Sequence, residues 1–176
     1  MTSHPTSQLP NLRIGHGYDL HRLDALAPAG KGRPLVIGGI HFDHDRGPVG
    51  HSDADALMHA ITDALLGAVG EPDIGQLFPD DDPRHESQDS AVFLTEAAWR
   101  VRKAGYEIAN LDATVILERP RLKDRKAEIR SRLATILSVD EQQVNIKGKS
   151  HEGVDAVGRG EAIEAHAVVL VVGVSH

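Results

Sequence analysis

The chain predicts one α/β domain, an α+β sandwich in which a single mixed sheet carries helices on one face. Three observations predict it. Short apolar runs of strand character alternate with segments whose apolar residues recur at helical spacing. A helical segment lies between two late strands, as a crossover would. The length, 176 residues, suits one core rather than two.

Residues 1–11, "MTSHPTSQLPN", have no apolar core and no Arg-rich amphipathic pattern. They read as a short disordered tail, neither signal nor transit peptide, ahead of a single domain over 12–173. Leu12 to Leu20 reads as the first strand. A Pro- and Gly-rich loop follows, and "PLVIGGIHF" (34–42) reads as strand, Gly-Gly break, strand. From about Asp53 to Val69 the residues Ala54, Leu57, Met58, Ile61, Ala64, Leu65 and Ala68 keep the spacing of one buried helical stripe. Ser52 with Asp55 three residues on suggests a capping box.

"EPDIGQLFPDDDPRHESQ" reads as loop, with its prolines and acid run. A second helix is expected over about 89–104, stopped by Gly105. "YEIANLDATVIL" is a strand, and a third helix enters near Leu122. "QQVNIKGKS" is a strand, and "AIEAHAVVLVV" is apolar enough to be a strand covered on both faces.

Composition narrows the chemistry. There is no cysteine, so neither disulfides nor a thiolate metal site exist. With eleven histidines, a metal would be held by nitrogen and oxygen. A net charge of −7 argues against a nucleic-acid partner. No run is long enough to cross a bilayer; a cytoplasmic protein with no membrane partner is expected.

The stretch "GHGYDLH" (15–21) places Asp19 and His21 two apart, on one strand face. Gly15 and Gly17 share that face and are expected to leave room for a ligand. On the first helix Asp55, His59, Thr62 and Asp63 are expected on a polar stripe opposite the apolar one, so His59 can reach a neighbouring element. One carboxylate and two imidazoles would make a three-ligand zinc site with an open fourth position. A solvated helix face and a weak Asp-x-His pattern remain the alternative. "HFDHD" (41–45) is a rival cluster where a turn belongs. His51 and Ser52 sit at a helix start, where an anion is favoured. Arg159 in "GRGE" either meets an oxyanion or pairs with Glu161.

Together, "GHGYDLHRL", "IGGI", "GHSDADALMHAITDALLGA", "DIGQLFPDDDP", "NLDATVILERPRL" and "GRGEAIEAHAV" come in the order and register of one family. The chain resembles the 2-C-methyl-D-erythritol 2,4-cyclodiphosphate synthases over about Arg13 to Val172. The resemblance implies that Asp19, His21 and His59 hold one Zn²⁺ per subunit. It implies catalytic roles for His51, which stabilises the transition state, and for the hydroxyl of Ser150. It further implies that Glu152 helps to hold a second divalent ion, Mg²⁺ or Mn²⁺. Substrate contacts are implied for Ser52, Asp73 and Gly75, for the loop Phe78, Pro79, Asp80, Asp81 and Asp82, for the cytosine-enclosing Pro120, Arg121, Leu122 and Lys123, and for Arg159.

The implied assembly is a homotrimer with its sheets facing the centre and its active sites between subunits. The implied reaction turns 4-diphosphocytidyl-2-C-methyl-D-erythritol 2-phosphate into the cyclic 2,4-diphosphate with release of CMP. One stretch departs from the family: in "GKSHEGVDAVGRGE" Ser150 stands for a threonine, Lys149 replaces a neutral threonine, and Ala156 stands where an aromatic is common. A zinc phosphohydrolase, and a non-catalytic zinc-containing trimer that binds an apolar ligand, are the rival readings.

Overall fold

A computed structural model describes residues 11–50, 52–79 and 88–174. Its main sheet has five strands in the order β4-β1-β7-β5-β6: β1 (Leu12–Ala25), β4 (Arg46–Pro48), β5 (Tyr106–Ile116), β6 (Val144–Lys149) and β7 (Ala162–Gly173). The pair β5–β6 is parallel and the other pairs are antiparallel, so the sheet is mixed, as expected. It is not the only sheet. The segments β2 (Leu35–Ile37) and β3 (Ile40–Phe42) form a separate two-stranded ribbon. Gly38 and Gly39 turn it at φ of 61° and 74°, a region that glycine enters at no steric cost.

Three longer helices, α1 (Ala56–Val69), α3 (Ser90–Lys103) and α4 (Lys126–Leu137), cover one face of the main sheet. The core lies between: Leu57, Ile61 and Leu65 of α1 and Ala165, Ala167 and Val169 of β7 are fully buried. The helix α4 starts after a 3₁₀ turn at Lys123–Arg125, slightly later than the sequence suggests. The loop after α1 contains a single helical turn, α2 (Ile74–Leu77), capped by Asp73, which its prolines conceal. Another single turn, α5 (Asp155–Gly158), precedes β7.

Four expectations are corrected by packing. First, α1 begins at Ala56 rather than Asp53 because Ala54 has φ 54°, in the left-handed region, through which no right-handed helix runs. Its cap is Asp55, whose carboxylate accepts from the Met58 N–H, while the Ser52 hydroxyl accepts from the Ala54 N–H; there is no Ser52–Asp55 box. Second, Asp55 and Thr62 do not lie on a solvated stripe. Both are fully buried, Asp55 under the β2–β3 turn and Thr62 with its hydroxyl donating to the Met58 carbonyl.

Third, the space beside Gly15 and Gly17 is not open to a ligand. A Cβ at either position would overlap a backbone carbonyl of α1, that of Ala64 or of Ala60. These glycines let helix and strand backbones approach closely. Fourth, β7 is covered on one face only within this chain. Ile163, Ala165, Ala167, Val169 and Val171 are buried, whereas Val168 is 44% exposed. Across β1 the same outer face shows Ile14, Tyr18 and Leu20.

Candidate active site

The close approach of α1 to β1 sets one side chain of the helix over two of the strand. Asp19 and His21 leave β1 on its helix-facing side, and His59 comes down from the first turns of α1. His21 Nε2 is 3.0 Å from Asp19 Oδ2, His59 Nδ1 is 3.2 Å from the same oxygen, and the two nitrogens are 3.3 Å apart. A tetrahedral ion bound at about 2.0–2.1 Å places its ligand atoms about 3.3 Å apart. The triangle therefore fits a metal ion, with the fourth corner open. Among the described residues this is the one group of three such side chains able to hold one.

Electrostatics prepare the set unevenly. Burial pushes the Asp19 carboxyl up, but hydrogen bonds and charge from His21 and His59 outweigh it and hold the group well below the usual carboxylate range. Burial pushes the His59 imidazole down, and the Asp19 carboxylate outweighs it, so His59 stays protonated above the usual histidine value. Asp19 is thus a ready anionic ligand, while His59 must shed a proton to bind metal. Metal affinity is expected to fall as pH drops through the raised His59 value.

The triangle opens into a cavity of about 360 Å³. Ser52, Gly75 and Phe78, to which the resemblance assigns substrate contacts, line it, and so do Val49, Gly50, Ile74 and Phe93. Asp73 does not line it but caps α2, its carboxylate accepting from the Gln76 N–H and side-chain amide. Pro79 is exposed and does not line the cavity. His51, Asp80, Asp81 and Asp82 lie outside the described residues.

The remaining assignments collect elsewhere. A second cavity of about 280 Å³ is lined by Pro120, Arg121, Leu122 and Lys123 together with Lys149 and Ser150. Glu118 lines it too, and its Oε2 is buried without a hydrogen-bond partner. Among the described residues, none lines both cavities. Glu152 is exposed at φ 52° and lines neither. Arg159 is exposed, with its guanidinium on the Glu161 carboxylate at 3.1 Å, the second of the two readings its motif allowed. Of the rival cluster, His44 pairs with its neighbour Asp45, at 3.3 Å, and among the described residues the cluster forms no group of three that could hold a metal ion.

The YgbB family model matches residues 12–172. The chain belongs to the YgbB family. Its relatives include the chloroplastic 2-C-methyl-D-erythritol 2,4-cyclodiphosphate synthase of Arabidopsis thaliana, 52% identical over 95% of this chain and 69% of that one. The Laribacter hongkongensis enzyme of the same name is 51% identical over 92% of this chain and 96% of its own. Among solved structures, a CDP complex of IspF from Plasmodium falciparum superposes with a TM-score of 0.81 at 34% identity, covering 96% of this chain and all of that one.

For a YgbB family chain, two site features escape inspection of the sequence. Ile74 and Phe93 complete the wall of the cavity beside the triangle; an apolar residue in a stretch that reads as loop and another in a helix carry no signal of their own. Ser90 touches the back of His59, with Asp53 behind it: the Ser90 hydroxyl lies 2.9 Å from His59 Nε2 and donates to Asp53. The pair "DS" at 89–90 reads only as a helix start, which it also is.

Proposed function

We propose that the chain is a 2-C-methyl-D-erythritol 2,4-cyclodiphosphate synthase of isoprenoid biosynthesis. It acts on 4-diphosphocytidyl-2-C-methyl-D-erythritol 2-phosphate. An oxygen of the 2-phosphate attacks the β-phosphorus in line. The bond from that phosphorus to the bridging oxygen breaks, and CMP leaves with the oxygen. The observation that carries this reading is the metal-shaped triangle of Asp19, His21 and His59 at the mouth of a cavity, in a family of that activity.

The mixed nitrogen and oxygen ligand set and the tetrahedral spacing favour zinc. A bound divalent ion supplies Lewis-acid polarisation of a phosphoryl oxygen. The chain's own residues do the positioning. Phe78 and Phe93 narrow the cavity against water. We assign Ser52 and the backbone near Gly75, which line the cavity, to the methylerythritol and phosphate groups. His51, in the same motif, is assigned the charge that develops on the phosphoryl group. Two phosphate groups must meet in a chain of net charge −7, so cations at the site are required. We assign a second ion, Mg²⁺ or Mn²⁺, to Glu152, since such ions take few protein carboxylates and keep phosphate oxygens as ligands.

The second cavity is assigned to the cytosine, with Ser150 at its edge as hydroxyl donor to the transferring phosphate. In this reading the two cavities are halves of one site that two subunits complete. The uncovered face of the sheet, with Ile14 at 70% exposure and Tyr18, Leu20 and Val168 near it, supports a homotrimer packed through that face.

Product analysis tests the reading. With substrate and zinc, phosphorus NMR should find the cyclic diphosphate and an equal amount of CMP. Linear phosphates would instead identify a phosphohydrolase, and no turnover a non-catalytic trimer.

A further inference from the structure

His59 faces two ways. Its Nδ1 belongs to the metal triangle, which leaves Nε2 to carry the ring proton in the neutral, ligating form. That proton needs an acceptor in a place withdrawn from water. Two hydroxyls stand near it: Ser90 Oγ at 2.9 Å and Ser52 Oγ at 3.2 Å. Ser90 is the closer and is wholly buried. Its own proton has one partner, the Asp53 carboxylate, which also accepts the Ser90 backbone N–H at 3.1 Å. An ionised carboxylate only accepts. The direction of every bond is therefore fixed: His59 Nε2–H donates to Ser90, and Ser90 O–H donates to Asp53.

We propose that Ser90 and Asp53 form a positioning relay that fixes the tautomer and ring orientation of His59 and so strengthens metal binding. The proposal rests on the metal-centre reading of Asp19, His21 and His59. Its physical basis is general: a ligating imidazole holds its metal best when its other N–H is engaged, because the partner selects the tautomer and raises ligand basicity. Here the carboxylate acts through a hydroxyl. The parts come from separate elements. Asp53 lies just ahead of α1, held by its N–H donating to the Gln88 carbonyl at 3.1 Å, and Ser90 opens α3. The relay thus also ties the start of α3 to the metal helix.

The experiment measures the zinc dissociation constant by chelator competition, and the visible spectrum of the cobalt-substituted protein, for wild type and variants. Ser90→Ala should weaken zinc binding by about ten- to a hundredfold and alter the cobalt bands, with circular dichroism unchanged. Asp53→Asn should weaken it less, since the amide oxygen still accepts from Ser90. The double variant should bind no more weakly than Ser90→Ala, because the two act in series. Ser90→Thr, which keeps the hydroxyl, should hold zinc more tightly than Ser90→Ala. Thr62→Val, a buried change on the same helix away from the triangle, should leave affinity unchanged.

Wild-type affinity in Ser90→Ala, or losses that simply add, overturns the relay. Should Ser90→Ala fail to fold, Asp53→Asn decides alone, and unchanged affinity there overturns it equally. His59→Ala separates the two levels: if it keeps zinc, the metal-centre reading falls, whereas if it loses zinc while Ser90→Ala does not, only the relay falls.

Discussion

Asp63 Oδ1 accepts a hydrogen bond from the Ile74 N–H at 2.8 Å. The helix that presents His59 is therefore also tied to the loop that presents Gly75 and Phe78. Asp63→Ala should release the loop and leave the metal triangle in place. We expect KM to rise more than kcat falls, zinc content to stay at wild type, and stability to drop by about 1 kcal/mol, the usual net worth of one such bond. Steady-state kinetics with metal analysis checks this; a variant that loses zinc would show that the loop and triangle are not separable.

The approach of α1 to β1 gives a paired prediction from one chemical change. Gly17→Ala puts a methyl group against the Ala60 carbonyl oxygen and the Ala64 nitrogen, backbone atoms that cannot turn aside. It should cost about 1–3 kcal/mol or more as overpacking and weaken zinc binding, because α1 must lift from Asp19 and His21. Gly67→Ala, in the same helix with no atom near the added methyl, should instead stabilise by about 0.5–1 kcal/mol through helix propensity. Urea unfolding of both variants decides; two losses of equal size would remove the close-packing account of Gly17.

Those glycines mark the limit of what the sequence makes legible. The alternation of Asp19 and His21, the Gly38–Gly39 turn, the three long helices and the two late strands are periodic patterns, and periodicity survives in a single chain. What packs against a periodic face does not. Nothing in "GHGYDLH" distinguishes a glycine that makes room for a ligand from one that makes room for a helix. Asp55 and Thr62 look solvated by spacing and are buried because the β2–β3 ribbon and neighbouring helix cover them. Ser90 is invisible for a different reason: its partners His59 and Asp53 are 31 and 37 residues away, and only the packing of α3 on α1 joins them. The separate roles of Ser150 and of Pro120 to Lys123 come from family resemblance, not from spacing, and their meeting in one cavity follows from neither.

Asp55 gives a pH prediction. Burial under the β2–β3 turn pushes its carboxyl up to about 6, against hydrogen bonds from the Gly38, Gly39 and Met58 N–H groups that favour the charged form. The unfolded value is about 3.9, so the folded chain binds this proton more tightly. The stability this group contributes is full below about pH 4 and is lost as pH rises through about 6. Asp55→Asn carries a pH-independent cost, since its amide N–H₂ meets backbone donors. The wild-type advantage over Asp55→Asn should therefore shrink by about 2 kcal/mol between pH 4 and pH 7. Chemical unfolding of both at several pH values measures it; a difference that grows with pH would mean that the backbone donors, not burial, set the ionisation.

The separation of the two cavities gives the prediction that bears most directly on assembly. Asp19, His21 and His59 line one, Ser150 and Pro120 to Lys123 the other, and among the described residues none lines both. If a site takes its metal half from one subunit and its cytosine half from the next, two inactive variants should repair each other. In the proposed trimer, His59→Ala would lack the metal half and Ser150→Ala the hydroxyl, each in every site of its own assembly. Subunits unfolded together, mixed in equal amounts and refolded should assemble at random. A working site then needs its metal half from a Ser150→Ala subunit and its cytosine half from a His59→Ala subunit. Each condition is met half the time, so activity should return to about a quarter of wild type, whatever the order of subunits around the ring. The parent variants refolded alone should remain at their own low levels, and mixing them without unfolding should restore nothing. If the refolded mixture shows only the average of its parents, each subunit closes its own site, and the assignment of Ser150 to a neighbour's metal centre is wrong.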